Sequence, residues 1–158
     1  MNQKTRRCCL GVLAWAGMVM GMSGVWADEP LVMGSSTISR NGSEFGIYLP
    51  PSLETAGQPA TLLVFFGGRG DSVAGYQRTL GKLSEEQSLI LLIPQLPWFK
   101  EPSKASMADI FRAIDKLVGE IEQQSKPGEL NRVVAGASAG GSPAHDLATK
   151  PSSKTNFL

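Results

Sequence analysis

The sequence has 158 residues, enough for one domain, and its 15 Lys and Arg nearly balance its 14 Asp and Glu. Hydrophobic residues make up 42% of the chain, which predicts a globular protein rather than a disordered one. It contains no basic patch and no run of interleaved basic and aromatic residues, so a nucleic acid is not an expected partner.

The amino terminus has the three parts of a secretory signal. A basic head of Lys4, Arg6 and Arg7 precedes an uncharged apolar stretch at 8–26, and Val25-Trp26-Ala27 places small residues where a signal peptidase reads them. We therefore predict a signal peptide at 1–27 and a secreted or periplasmic mature chain, and we expect no stable membrane anchor. A retained signal anchor is the alternative, since the stretch is just long enough to span a bilayer. The choice between general and twin-arginine export stays open.

Cleavage after Ala27 would change the charge and the cysteine content. The mature chain would carry 12 basic and 14 acidic residues, a net charge of −2 (12 − 14), and would lose both cysteines, Cys8 and Cys9. No thiol nucleophile, disulfide or cysteine metal site is then possible. We expect neither a metal nor a cofactor.

Strand patterns begin with a hairpin. Residues 37–40 and 45–49 are joined by Asn41-Gly42, a strong hairpin turn signal. Continuous apolar runs at 61–66, 88–93 and 132–135 are typical of strands buried on both faces of a parallel sheet.

Helical spacing follows each of these three runs. Val73, Tyr76, Leu80 and Leu83 recur at helical intervals after a cap at Asp71 or Ser72, a longer amphipathic pattern spans 107–121, and a third helix is predicted at 139–149. The alternation predicts an α/β fold with a doubly wound, mostly parallel sheet. Ligands of such sheets bind beyond the carboxyl ends of the strands, which here are the loops 67–72, 94–102 and 136–140.

One motif carries chemistry. Gly136-Ala137-Ser138-Ala139-Gly140 has the form G-x-S-x-G between a strand and a helix, where a sharp turn lifts the serine hydroxyl toward substrate. The glycines at 136 and 140 relieve crowding in that turn, so we predict Ser138 to be a nucleophile toward an acyl carbonyl. An oxyanion then needs two backbone N–H donors, for which we choose Ala139 and Gly68.

These motifs resemble those of a known family. YLP at 48–50, VFFGGRGD at 64–71, IPQ at 93–95 and GASAGG at 136–141 are similar to the amino-terminal half of α/β-hydrolases, in particular secreted feruloyl esterases and polyhydroxyalkanoate depolymerases. The resemblance covers about 45–149 and implies a serine esterase with a Ser, Asp and His triad and no cofactor. Phe66 stands where many members have a structural histidine.

The acid and base of that triad are not evident in this chain. Only 20 residues follow Ser138 (158 − 138), and the single histidine, His145, lies about 10 Å along the predicted helix from Ser138, too far for a hydrogen bond. We interpret His145 and Asp146 as solvated helix residues. The chain then supplies the nucleophile and oxyanion donors of an esterase acting on a small-molecule or polymeric ester, but it stops before the rest of the triad.

Two alternatives remain open at this point. The protein is either an exported carboxylic ester hydrolase of which this chain is a part, or an exported protein that binds a ligand or partner without turnover. Trp98 and Phe99, in the loop at 94–102, either line a substrate pocket or cover the core.

Overall fold

A computed structural model describes residues 30–54, 57, 59–125, 129–149 and 157. The predicted signal peptide lies outside these residues. Five strands and three α-helices follow the predicted order: β1 (Gly34–Arg40), β2 (Ser43–Leu49), β3 (Ala60–Phe66), α1 (Val73–Gln87), β4 (Leu89–Pro94), α2 (Met107–Ser125), β5 (Leu130–Gly136) and α3 (Gly141–Thr149). Short 3-10 turns lie at Pro51–Glu54 and Ser138–Gly140.

The predicted hairpin is confirmed. Strands β1 and β2 pair antiparallel with Arg40 opposite Ser43. Asn41 and Gly42 between them have φ of 51° and 74°, both in the left-handed region that a two-residue turn of this kind requires.

The sheet has the order β1-β2-β4-β3-β5. Its parallel part is formed by β4, β3 and β5, and the hairpin joins it through an antiparallel pairing of β2 with β4. The predicted mostly parallel α/β sheet is therefore confirmed, with the hairpin forming one edge. Because β3 and β5 are parallel neighbours, the loops that follow them meet at the same edge of the sheet.

The helices cover both faces of the sheet. Phe65 of β3 packs on Tyr76 of α1 with ring centroids 4.8 Å apart, while Phe66 meets Phe111 of α2 at 6.1 Å. Successive strand residues point to opposite faces, so α1 and α2 lie on opposite sides of β3. The centre of the apolar face of α2 is fully buried, as predicted, through Ile110, Ile114, Leu117 and Val118, while Met107 and Phe111 are partly buried.

Two sequence predictions need correction. Leu83 does not lie on the packed face of α1: it is exposed, and Ser84 is buried in its place, with its hydroxyl donating to the Leu80 carbonyl at 3.0 Å. Strands β3 and β5 are not fully buried on both faces, since Leu63 and Phe65 of β3 and Val133 and Val134 of β5 are only partly buried. At β5 the edge position adds to this exposure, because within the described chain β5 pairs with β3 alone.

Among the described residues, no helix is both long and apolar enough to cross a membrane.

Candidate active site

The turn after β5 holds Ser138 in an unusual conformation. Ala137 is extended (φ −106°, ψ 131°), and Ser138 then adopts a φ of 50° before the chain enters α3. A serine pays a steric cost in this left-handed region, and such outliers concentrate at functional sites. The serine is exposed at the carboxyl end of the sheet, as the G-x-S-x-G pattern predicts.

Gly136 and Gly140 make this turn possible by their lack of side chains. A β-carbon at 136 would lie 2.2 Å from the Gly140 carbonyl oxygen, and one at 140 would lie 2.0 Å from the Phe66 carbonyl oxygen. Both neighbours are backbone atoms that cannot move aside. The predicted crowding is thus present, and it ties the serine turn directly to the end of β3.

The loop after β3 lies beside the serine. The Ala137 N–H donates to the Phe66 carbonyl at 2.9 Å, and a β-carbon at Gly68 would lie 3.5 Å from the Ser138 β-carbon. The structure therefore brings together Gly68 and Ser138, which are 70 positions apart in the chain.

The N–H of Gly68 already has an acceptor. It donates to the Tyr76 hydroxyl at 3.0 Å, and that hydroxyl in turn donates to Oδ2 of Asp71 at 2.5 Å. If Ser138 attacks a carbonyl, the resulting oxyanion on the former carbonyl oxygen has to displace the Tyr76 hydroxyl oxygen before it can accept from the Gly68 N–H. Burial, and then the bond to the Asp71 carboxylate, raises the pKa of Tyr76 above its ordinary value of 10.0, so the hydroxyl is protonated at neutral pH.

Ala139, the other predicted donor, lies in the first turn after the serine. The first backbone bond of that turn runs from the Gly140 N–H to the Ala137 carbonyl, at 2.8 Å. The N–H of Ala139 precedes this bond, in the part of a helix where donors have no intrahelical acceptor. This placement leaves the Ala139 N–H able to donate a hydrogen bond to a negatively charged oxygen beside Ser138.

The predicted loop at 94–102 supports the loop at 67–72. The Trp98 indole N–H donates to the Gly67 carbonyl at 3.1 Å, and the Gly70 N–H donates to the Trp98 carbonyl at 3.0 Å. Phe99 is 5% exposed and belongs to the core, and Trp98 packs against that core. Of the two alternatives for these aromatic residues, covering the core is the one observed.

His145 and Asp146 lie on α3, away from the turn that holds the serine hydroxyl. His145 is exposed, and within the described part of the chain no side chain hydrogen-bonds the Ser138 hydroxyl. No group of three or more potential metal ligands lies close together among the described residues. The described residues thus place the predicted nucleophile, Ser138, beside the predicted N–H donors, with no histidine or carboxylate hydrogen-bonded to its hydroxyl.

Sequence reasoning missed Tyr76. Helical spacing predicts that Tyr76 lies on the apolar face of α1, and its ring does pack there on Phe65. Spacing alone gives no information about its hydroxyl. A partly buried tyrosine hydroxyl usually finds a partner, and the signal was Asp71 five residues earlier. Of the two caps that the sequence offers, Asp71 and Ser72, Ser72 is the cap, accepting from the Gly75 N–H at 3.1 Å, and Asp71 accepts from the Tyr76 hydroxyl instead.

Comparisons with known proteins show what this fold is. BioJ, a virulence factor of Francisella, is 19% identical with a TM-score of 0.57 over 81% of this chain and 42% of its own. Poly(aspartic acid) hydrolase-1 from Sphingomonas is 18% identical (TM-score 0.55; 75% of this chain and 52% of its own). LpqC, a poly(3-hydroxybutyrate) depolymerase from Bordetella parapertussis, is 17% identical (TM-score 0.54; 76% and 48%).

These neighbours are α/β-hydrolases, so the chain has the α/β-hydrolase fold. It spans between 42% and 52% of the length of the three neighbours. No protein-family model matches the sequence, and no curated protein matches it significantly.

Proposed function

We propose that this chain is the nucleophile-bearing part of an exported serine hydrolase that acts on carboxylic esters. Ser138 attacks the acyl carbonyl, Ala139 and Gly68 donate backbone N–H groups to the oxyanion, and the histidine and acid come from sequence outside these 158 residues. The observation that carries the proposal is the left-handed backbone of Ser138 (φ 50°) on a turn packed against β3 through glycine. Left-handed backbone is also found at Ser88, the C-cap of α1 (φ 53°), so what distinguishes Ser138 is its place on a glycine-packed turn at the carboxyl edge of the sheet.

The neighbours support the reaction class. A depolymerase of a polyester and a polyamide hydrolase share the fold, and both act on acyl groups by name. Acyl transfer is the chemistry that a strained serine beside backbone N–H donors can serve.

The test compares hydrolysis of short-chain nitrophenyl esters by two proteins. The 158-residue chain should be no faster than its Ser138→Ala variant, because the serine has no base. A protein that continues this sequence along its gene and adds an Asp and a His should hydrolyse the same esters, and Ser138→Ala should abolish that activity. Circular dichroism of each sample checks folding.

The second candidate is an exported protein that binds without turnover. It is favoured by the bond between the Gly68 N–H and the Tyr76 hydroxyl, which leaves one predicted oxyanion donor engaged. A folded, extended protein whose hydrolysis of these esters does not change on Ser138→Ala would support this candidate and contradict the first.

A further inference from the structure

A cavity of about 440 Å³ opens beside the candidate site. It is formed by the start of α1 and the loop after β4, and its lining residues are Asp71, Ser72, Gly75, Tyr76, Arg78, Thr79 and Lys100. The two parts of its wall are held together by the Lys100 N–H, which donates to the Asp71 carbonyl at 3.0 Å. Its volume is within the range of cavities that bind small molecules.

The cavity is adjacent to the serine turn. The hydroxyl of Tyr76, which lines the cavity, accepts a hydrogen bond from the Gly68 N–H at 3.0 Å. A β-carbon at Gly68 would lie 3.5 Å from the Ser138 β-carbon. A single residue, Gly68, therefore separates the wall of the cavity from the nucleophile. A substrate whose carbonyl lies at Ser138 can extend past Gly68 into this space.

The two cationic side chains that line the cavity, Arg78 and Lys100, differ in their pairing from other cations of the described chain. Arg40, Arg112 and Arg132 each form an ion pair with a glutamate or aspartate. Within the described part of the chain Arg78 and Lys100 form none, although they come from different elements and line the same cavity. Arginine and lysine side chains with no acidic partner are suited to bind an anion.

The charge of the cavity favours a singly charged anion. Arg78 and Lys100 contribute two positive charges, and Asp71, which accepts the Tyr76 hydroxyl proton, contributes one negative charge. The net charge of +1 (2 − 1) matches one carboxylate. A bound carboxylate would leave the cavity neutral, whereas a phosphate dianion would leave it with a net charge of −1 (1 − 2).

We propose that this cavity binds a carboxylate carried by the ester substrate at the end remote from the bond that is cleaved. The substrate class is thus a monoester of a dicarboxylic acid, or an ester with a free carboxylate of similar reach. Arg78 and Lys100 are the residues that select it. The assignment of the ligand as a substrate rests on the proposed function, whereas the cavity and its charges do not.

The test measures binding to the Ser138→Ala variant of the 158-residue chain, so that it does not depend on turnover. Isothermal titration at low ionic strength compares monomethyl succinate with its neutral analogue dimethyl succinate and with inorganic phosphate. Monomethyl succinate should bind about tenfold more tightly than either. Arg78→Gln and Lys100→Gln should each weaken it by about fivefold, as expected for exposed charge pairs.

Lys82→Gln is the matched control, since Lys82 is exposed on α1 but does not line the cavity. It should leave binding unchanged. Equal affinity for the neutral diester, equal loss on Lys82→Gln, or tighter binding of phosphate would each overturn the proposal. Esterase assays of Ser138 are separate, so a failure of the proposed function would leave this result interpretable.

Discussion

Gly140 is the residue on which the serine turn depends most directly. A β-carbon there would lie 2.0 Å from the Phe66 carbonyl oxygen, and β3 is fixed between β4 and β5. We expect Gly140→Ala to lower the free energy of unfolding by about 3 kcal/mol, because the overlap is with backbone. Urea unfolding followed by circular dichroism measures this.

Gly119→Ala is the control for that substitution. A β-carbon at 119 meets nothing within 4 Å, and the residue lies inside helix α2. Alanine should therefore stabilise the chain by about 0.5–1 kcal/mol. If both variants changed stability by the same amount, the proposed crowding at Gly140 would be wrong.

Tyr76 links three parts of the site through one hydroxyl. It accepts from Gly68 and donates to Asp71, so Tyr76→Phe should cost about 1 kcal/mol of unfolding free energy. Tyr48→Phe is the matched control, because within the described chain the Tyr48 hydroxyl makes no hydrogen bond. An equal loss in both variants would mean that the Tyr76 hydroxyl contributes no stability.

The Tyr76 hydroxyl also makes the free energy of unfolding depend on pH in the alkaline range. Burial, and then the bond to Asp71, raises the pKa of Tyr76 in the folded chain above the ordinary 10.0. The unfolded chain therefore loses the proton first, and stability falls as pH rises from 10.0 through the raised pKa. Urea midpoints measured across that range should fall less steeply for Tyr76→Phe than for the unchanged chain.

At the scale of elements, one ion pair joins the hairpin to α2. Arg40 is 1% exposed, and its Nε and guanidinium nitrogen donate to the Glu120 carboxylate at 3.0 and 2.9 Å. Arg40→Met should lower the unfolding free energy by about 2 kcal/mol, less than for a fully buried pair because Glu120 is partly solvated.

Arg112→Met tests whether burial is the cause. Arg112 pairs with Asp109 on the exposed side of the same helix, where an ion pair is worth about 0.5 kcal/mol or less. Equal losses for the two variants in urea unfolding would contradict the account of Arg40.

The elements were largely predictable because their signals are local. Asn41-Gly42 determines a turn through its backbone freedom, and the period of Ile110, Ile114 and Leu117 follows from one apolar face. The prediction that Leu83 is buried was wrong, because helical spacing does not show at which residue a helix stops contacting the sheet. The Tyr76 bond to Gly68 was not predictable, because it depends on how a loop folds back on a helix.

At the scale of the whole molecule, β5 was predicted as buried because its apolar run has no alternation. The described sheet gives it one neighbour, and its valines remain partly exposed. Burial of a strand depends on its neighbours in the sheet and on what packs over each face, since β3 lies between two strands and is still only partly buried on one face. The position of the serine at the carboxyl edge was predictable, since the topology of βαβ units places all such loops together.

Export is a separate prediction at this scale. The basic head, the apolar stretch at 8–26 and the Val25-Trp26-Ala27 site predict cleavage after Ala27. Amino-terminal sequencing of exported protein should begin at Asp28. Recovery of the uncleaved chain in the membrane fraction would favour a retained anchor instead.

The most direct measurement of the central claim is covalent labelling of Ser138. A protein that contains this sequence and the residues encoded after it is treated with a fluorophosphonate probe, and the labelled peptide is located by mass spectrometry. The account predicts one adduct, at Ser138, which is lost in Ser138→Ala and kept in the control Ser142→Ala, an exposed serine in α3. An adduct at another serine, or none in a folded protein that carries the added Asp and His, would contradict it.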